Sequence, residues 1–400
     1  MKNQVSLLKR GLDMGNGVFR LFPTWVPRVF CVPGKRLKLH PDDYYAFGAH
    51  RGGIDERWFA STTKADNGPL TLEDEGLSYI YIEDRTQKEK VLLKDAIALM
   101  GDEILGIGVM KRHGGWVMFA KFFDNMGPLP HHLHQDDKKA SIVGQKGKPE
   151  GYYFPKQLNP HGGYFPYTFF GLNPGTTRDD VRRCLENWNR GDNGILYLSR
   201  AYKLKPGTGW DVPPGILHAP GSLLTYEPQR ASDVFAMFQS LVWDQVFSWD
   251  MVVKDVPEKY KKDLDYIMDL IDWDMNLDPD FYRHRFLEPK PVKPIEEMRE
   301  EGYEEYRVVY NSEYFSANEL TVHPGRSVTI KEKAAYGVIV IQGHGRFGVL
   351  DIESPAMIRF GQMTRDELFV TEKAARDGIT IVNDSETDDL VMLKHFGPEE

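Results

Sequence analysis

The sequence predicts an all-β protein with a minority of helical insertions, and three observations carry that prediction. Clusters of Gly, Pro, Asn and Asp cut the first two thirds of the chain into short apolar runs, the pattern of strands joined by tight turns. Beyond Tyr303 the chain again runs in strand-length stretches rich in Val, Ile, Tyr and Phe. Helix signals stand out in two stretches.

In chain order, the turn signals "NPHGGY", "GLNPG", "NRGDNG", "KPGTGW" and "VPPG" bound apolar runs such as 116–123 and 194–198. Short strands with this punctuation predict a sandwich or barrel. From Thr176, "TTRDDVRRCLENWNRGDNG" offers a Thr cap, acidic residues in the first turn and a glycine stop, so a short helix is expected. In "PEKYKKDLDYIMDLIDW", Tyr260, Leu264, Ile267, Met268 and Ile271 share a helical face, with Pro257 suited to the first turn. That stripe reads as a core-packing face. The proline-rich stretch "FLEPKPVKPIEEM", 286–298, predicts an extended spacer. The expected organisation is therefore a first β domain with helical insertions over 1–285, a linker over 286–302 and a second β domain over 303–400, of similar texture to the first and suggesting a duplicated barrel.

A chain of 400 residues exceeds what one hydrophobic core usually supports. Its net charge of −9 argues against a sequence-independent nucleic-acid binder. Cys31 and Cys184 have no metal-ribbon or redox spacing and are expected as reduced, buried thiols. No stretch has the apolar core of a signal peptide or the length of a membrane span, so a soluble cytoplasmic protein is expected.

Chemistry concentrates in "GPLPHHLHQDD", 127–137, which holds three of the chain's 12 histidines. On a strand, alternate residues share a face, so His132 and His134 point one way, roughly 7 Å apart, and His131 the other. Two imidazoles on one face can reach a common metal. Glu150 in "GKPEGYYF" and His218 in "GTGWDVPPGILHAPG" are the candidates to complete the set, with Pro213 and Gly215 setting the turn before His218.

These segments resemble the two motifs of the cupin superfamily, whose small double-stranded β-helix barrels hold one metal near the mouth. Within it they are most similar to the type I mannose-6-phosphate isomerases. "MFAKFFDNMGPLPHHLHQDD", "GKPEGYYF" and "VPPGILHAPGSLLTYEPQ" follow that family's order, as does the upstream "DERWFAS" with its "E.W..S" region. The likeness covers about 50–230. It implies tandem cupin barrels, the first of them catalytic, and places His132 at the family's glutamine ligand, His134 and His218 at its histidine ligands and Glu150 at its glutamate ligand. Lys148 falls on its active-site lysine and Glu227 on the glutamate of its "YEiQ" stretch. Asp136 and Asp137 match the aspartates after its histidine and read as turn residues.

Three imidazoles and a carboxylate suit a divalent ion, zinc first and manganese, cobalt, iron or nickel as alternatives. Such a Lewis acid polarises a hydroxy-carbonyl compound, and a base at Lys148 or Glu227 then moves a proton between adjacent carbons through an enediol. The resemblance thus implies a sugar or sugar-phosphate isomerase. A metal oxidoreductase or dioxygenase of the cupin type, and a non-catalytic sugar-binding cupin, are the competing expectations. One departure concerns the substrate: the family's arginine past "YEiQ" is replaced by Ala236, leaving Arg230, Arg283 and Arg285 as candidate phosphate partners. The second half has "TIKEKAAYG" where paired histidines would stand and a lone His344, so a packing, lid or homodimer-forming role without metal is expected there.

Overall fold

In the computed structural model, residues 2–83, 88–161, 165–242 and 244–398 are described; part of the expected turn at 159–164 lies outside them. Four large sheets, antiparallel throughout, stack in layers among the described residues, beside a two-stranded pair at 241–242 and 245–246. The outermost has five strands in the order 199–203, 167–172, 218–219, 132–133 and 236–237. Facing it is a seven-stranded sheet ordered 286–287, 209–212, 150–153, 225–230, 118–123, 53–59 and 24–28. These two sheets share no hydrogen-bonded strand, so they form a sandwich without closing into one ladder.

The other face of the seven-stranded sheet packs on a nine-stranded one. Strict alternation explains the division of labour: Ala120, Phe122 and Tyr226 join Val309, Phe315, Ile339 and Leu393 in the largest core, while Lys121, Phe123 and Glu227 point the opposite way. Behind the nine-stranded sheet lies a four-stranded one, 327–330, 379–383, 344–347 and 350–353, across a core that includes Leu320, Val338, Phe347 and Met392. The mostly-β architecture with a minority of helices expected from the turn pattern is present. Cys31 and Cys184 are free and buried, and no described helix is long and apolar enough to cross a membrane.

Several local expectations need correction. The run 194–198 is a 3-10 helix, Ile195–Leu198, rather than a strand. The expected helix after Pro257 breaks into Glu258–Tyr260, Leu264–Met268 and Trp273–Leu277. Asp263 and Asp272 each accept main-chain N–H bonds and start a new helix, the competition with helix continuation that short acidic side chains provide. Ile267, Met268 and Ile271 are nonetheless buried together. The helix Arg178–Glu186 forms as expected, with a reciprocal capping box between Thr177 and Asp180, but its C-cap is Asn187 and not a glycine. The spacer at 286–302 is structured: Phe286–Leu287 and Lys290–Pro291 are short strands and Ile295–Glu301 is a helix.

The nine-stranded sheet also takes strands from far upstream. Its order is 290–291, 303–309, 316–322, 390–396, 336–342, 367–370, 18–22, 79–83 and 88–92. The join is antiparallel, with Val18 opposite Val370.

Candidate metal centre

His132 and His218 stand directly opposite each other on neighbouring antiparallel strands, His132–Leu133 and His218–Ala219. Cross-strand partners place their side chains in contact, and the ring centroids are 4.2 Å apart. His134 lies on the same side, 5.1 Å from both rings, as strand parity requires. The three imidazoles bring one nitrogen each to within 4.8 Å of the others. His131 takes the opposite face, fully buried with its Nε2 2.7 Å from Ser199 Oγ; burial pulls its pKa down to about 3.

The main chain sets which nitrogen of each ring is free. Nδ1 of His132, His134 and His218 lies 2.6, 2.7 and 2.8 Å from the carbonyls of Pro130, Val234 and Ile216. A carbonyl only accepts, so each Nδ1 carries the proton and each Nε2 keeps its lone pair. Burial lowers the His132 and His134 pKa values, the latter to about 4, so both rings are neutral near pH 7.

From the facing sheet, Glu150 on Glu150–Tyr153 brings Oε2 to 3.0 Å from His134 Nε2 and Oε1 to 3.1 Å from His218 Nε2. Burial alone would push this carboxyl up, but His134 and the Lys148 ammonium outweigh it and hold it well below the usual carboxylate range. His218 Nε2 has no aligned hydrogen-bond partner, and Glu150 Oε2 faces the Lys148 ammonium at 2.8 Å. Imidazole nitrogens and a carboxylate converging in a buried site form a donor set that a shared cation stabilises. The donor set therefore fits a divalent ion on three nitrogens and one oxygen. Tyr152 donates its hydroxyl to Glu150 Oε1 at 2.5 Å, which orients the carboxylate.

Two glycines let the loops meet. Gly147 donates its N–H to Asp137 Oδ1 at 3.0 Å, and a Cβ there would fall 2.6 Å from Asp137 N; the loop before Glu150 thereby seats against the segment after His134. Gly215, at φ +82°, donates to the His134 carbonyl at 2.8 Å. Asp136 caps the short helix Asp137–Ala140, a turn role as expected.

Lys148 and Glu227 are both brought to this cluster. Lys148 Nζ lies 2.8 Å from Glu150 Oε2, 3.1 Å from His134 Nε2 and 3.6 Å from Glu227 Oε1. Glu227, buried on Thr225–Arg230, has its pKa pushed up to about 8 by burial and by the Glu150 charge. It pairs with Lys121 at 3.2 Å from the adjacent strand, where the two residues are in register. Lys121 also meets Glu56 at 3.3 Å, and Glu56 meets Arg28 at 3.2 Å. Arg28 in turn forks onto Asp233 at 3.1 and 3.3 Å.

Sequence reasoning missed Arg28, Glu56, Lys121 and Asp233 as cavity residues. The available signal was a strand, "GIDERWF", whose three central residues are all charged yet buried.

The candidate phosphate partners are not in this cavity. Arg230 is held by Asp137 and lies over the Tyr314 ring, and Arg285 pairs with Asp211. Arg283 is exposed on the helix Phe281–Arg285. Ala236 is fully buried and points into the core with Leu133 and Leu217, while its neighbours Phe235 and Met237 line the cavity.

Comparison with solved structures decides the fold. An Archaeoglobus fulgidus protein provisionally called a mannosephosphate isomerase superposes over 95% of this chain and 97% of its own, with TM-score 0.61 and 12% identity. This chain has the phosphomannose isomerase fold. The mannose 6-phosphate isomerase of Bacillus subtilis matches 95% of this chain and 99% of its own at TM-score 0.59 and 15% identity. A mannose 6-phosphate isomerase bound with zinc and yttrium matches 96% and 100% at TM-score 0.59 and 12% identity. No protein-family model and no curated protein sequence matches.

Proposed function

We propose that this chain is a metal-dependent aldose–ketose isomerase acting on a sugar or sugar phosphate, with the ion held by His132, His134, Glu150 and His218. The observation that carries the reading is the convergence of one nitrogen from each of three imidazoles, two of them within 3.1 Å of Glu150, beside a buried carboxyl, Glu227, whose pKa lies near 8. A divalent ion, zinc or else manganese, cobalt, iron or nickel, supplies Lewis acidity that polarises the substrate carbonyl and acidifies the neighbouring C–H.

The chain's own groups do the proton work. Glu227, when ionised, accepts the proton from the carbon next to the carbonyl, and its raised pKa makes it a stronger base than an exposed carboxylate. It returns that proton to the adjacent carbon of the enediol while the hydroxyl proton passes to the former carbonyl oxygen, so aldose and ketose interconvert with no net loss of atoms or electrons. Lys148 and Lys121 stand against Glu227 and stabilise its ionised form. Catalysis is assigned to the 1–285 segment, and a packing or homodimer-forming role to 303–400. The neighbours named for mannose 6-phosphate support the sugar class through fold likeness.

The test is proton exchange from aldoses and ketoses in heavy water, followed by NMR with added divalent metals. Exchange that requires metal, without oxygen uptake, is expected. His134→Ala and Glu150→Gln are expected to lose both bound metal and exchange, whereas full activity in both variants would sink the reading.

A further inference from the structure

We infer that the substrate is an unphosphorylated sugar, whose end remote from the carbonyl rests on an apolar rim. The inference builds on the isomerase reading for what happens at the carbonyl end.

Beyond the metal cluster, the cavity is lined by Phe30, Leu129, Pro130, Pro220, Phe235 and Met237. Three cations also line it among the described residues, and each is already committed to carboxylates. Arg28 is forked on Asp233, bonded to Glu56, and donates to Asn67 Oδ1 at 2.8 Å. Lys121 sits between Glu56 and Glu227. Lys148 sits between Glu150 and Glu227. The four carboxylates outnumber the three cations.

A phosphate dianion is held by forked guanidinium donors or by unpaired main-chain N–H groups. To bind here it would have to displace a buried carboxylate from its cation and leave that charge unpaired, a strongly unfavourable exchange. The segment 235–237 could have supplied a cation to the cavity, but it presents Phe235 and Met237 instead. Arg230 and Arg285 border a separate groove together with Asp137 and Asp211. The rim suits the C–H faces of an uncharged polyol, which pack on apolar and aromatic side chains while the hydroxyls at the other end find the polar groups.

Non-reacting hexitols separate binding from turnover. The full chain, loaded with zinc, is titrated calorimetrically with a hexitol, its 6-phosphate and inorganic phosphate, and proton exchange from free and phosphorylated aldoses is followed in parallel. The hexitol is expected to bind about tenfold or more tighter than its 6-phosphate, without competition from inorganic phosphate. Phe235→Ala is expected to weaken hexitol binding about fivefold with metal content and melting temperature unchanged. Equal or tighter binding of the 6-phosphate, binding of neither hexitol, or unchanged hexitol affinity in a folded Phe235→Ala chain overturns the inference. Selective hexitol binding without proton exchange would leave it standing and remove the isomerase reading. Metal-dependent exchange confined to phosphorylated sugars would do the reverse.

Discussion

Each imidazole of the cluster is oriented by a main-chain carbonyl, and Glu150 by the Tyr152 hydroxyl, so groups outside the proposed ligand set would help to determine metal affinity. Tyr152→Phe is expected to weaken metal binding by about tenfold to a hundredfold, measured by competition with a chelator; unchanged affinity would show that the hydroxyl orients nothing. Glu227→Gln removes the proposed base while preserving shape. Its proton exchange is expected to fall by about 10²- to 10⁴-fold with full metal content, and a variant that exchanges at the normal rate would transfer the role to Lys148. His132 and His134 were legible because strand parity is a local rule. Arg28 and Asp233 were not, because a buried charge is recognisable only once its partner, here 205 residues away, is placed beside it.

At the scale of elements, the turn before His218 couples backbone conformation to the site. Gly215 has φ +82°, and a Cβ would meet Asp272 Cβ and N at 3.0 Å. Gly215→Ala is expected to cost about 1–3 kcal/mol of stability, read from the urea midpoint, and to weaken metal binding through the lost seat of the His134 carbonyl. A variant as stable as the parent would show that the loop absorbs the change. The broken helix at 258–277 marks where element-level reading stops. Its apolar stripe was visible, but Asp263 and Asp272 could as well have faced solvent within one continuous helix. Docking of the segment against the loop of Gly215, whose carbonyl accepts the Asp272 N–H at 3.0 Å, sets the break.

Across the whole molecule, Arg57 on the seven-stranded sheet binds Asp366 at 2.7 and 2.9 Å and Glu367 at 3.2 Å from the nine-stranded one. Burial raises Glu367, Arg57 opposes this, and the Asp366 charge adds to the rise, which reaches about 8. A carboxyl with a folded pKa above its unfolded value binds more protons when folded, so its contribution to stability is complete below about pH 4.5 and is lost as pH rises towards 8. Glu367→Gln stays neutral throughout and is expected to lose less stability than the parent between pH 5 and pH 8. Urea unfolding at both values checks this, and parallel losses would refute it.

The sequence by itself determined the turn-punctuated β class, the pairing of His132 with His134 on one face, and the order of motifs that brings in Glu150 and His218. The first two follow from side-chain alternation and turn chemistry, which act over a few residues; the third is what the motif resemblance implies. Only the tertiary structure decided that strands 18–22, 79–83 and 88–92 complete a sheet built mainly from 290–396, that Lys121 and Glu227 stand in register, and that the cavity's cations among the described residues are matched by carboxylates. These depend on which distant strands pair, a choice made by burial of whole faces and not by any local pattern.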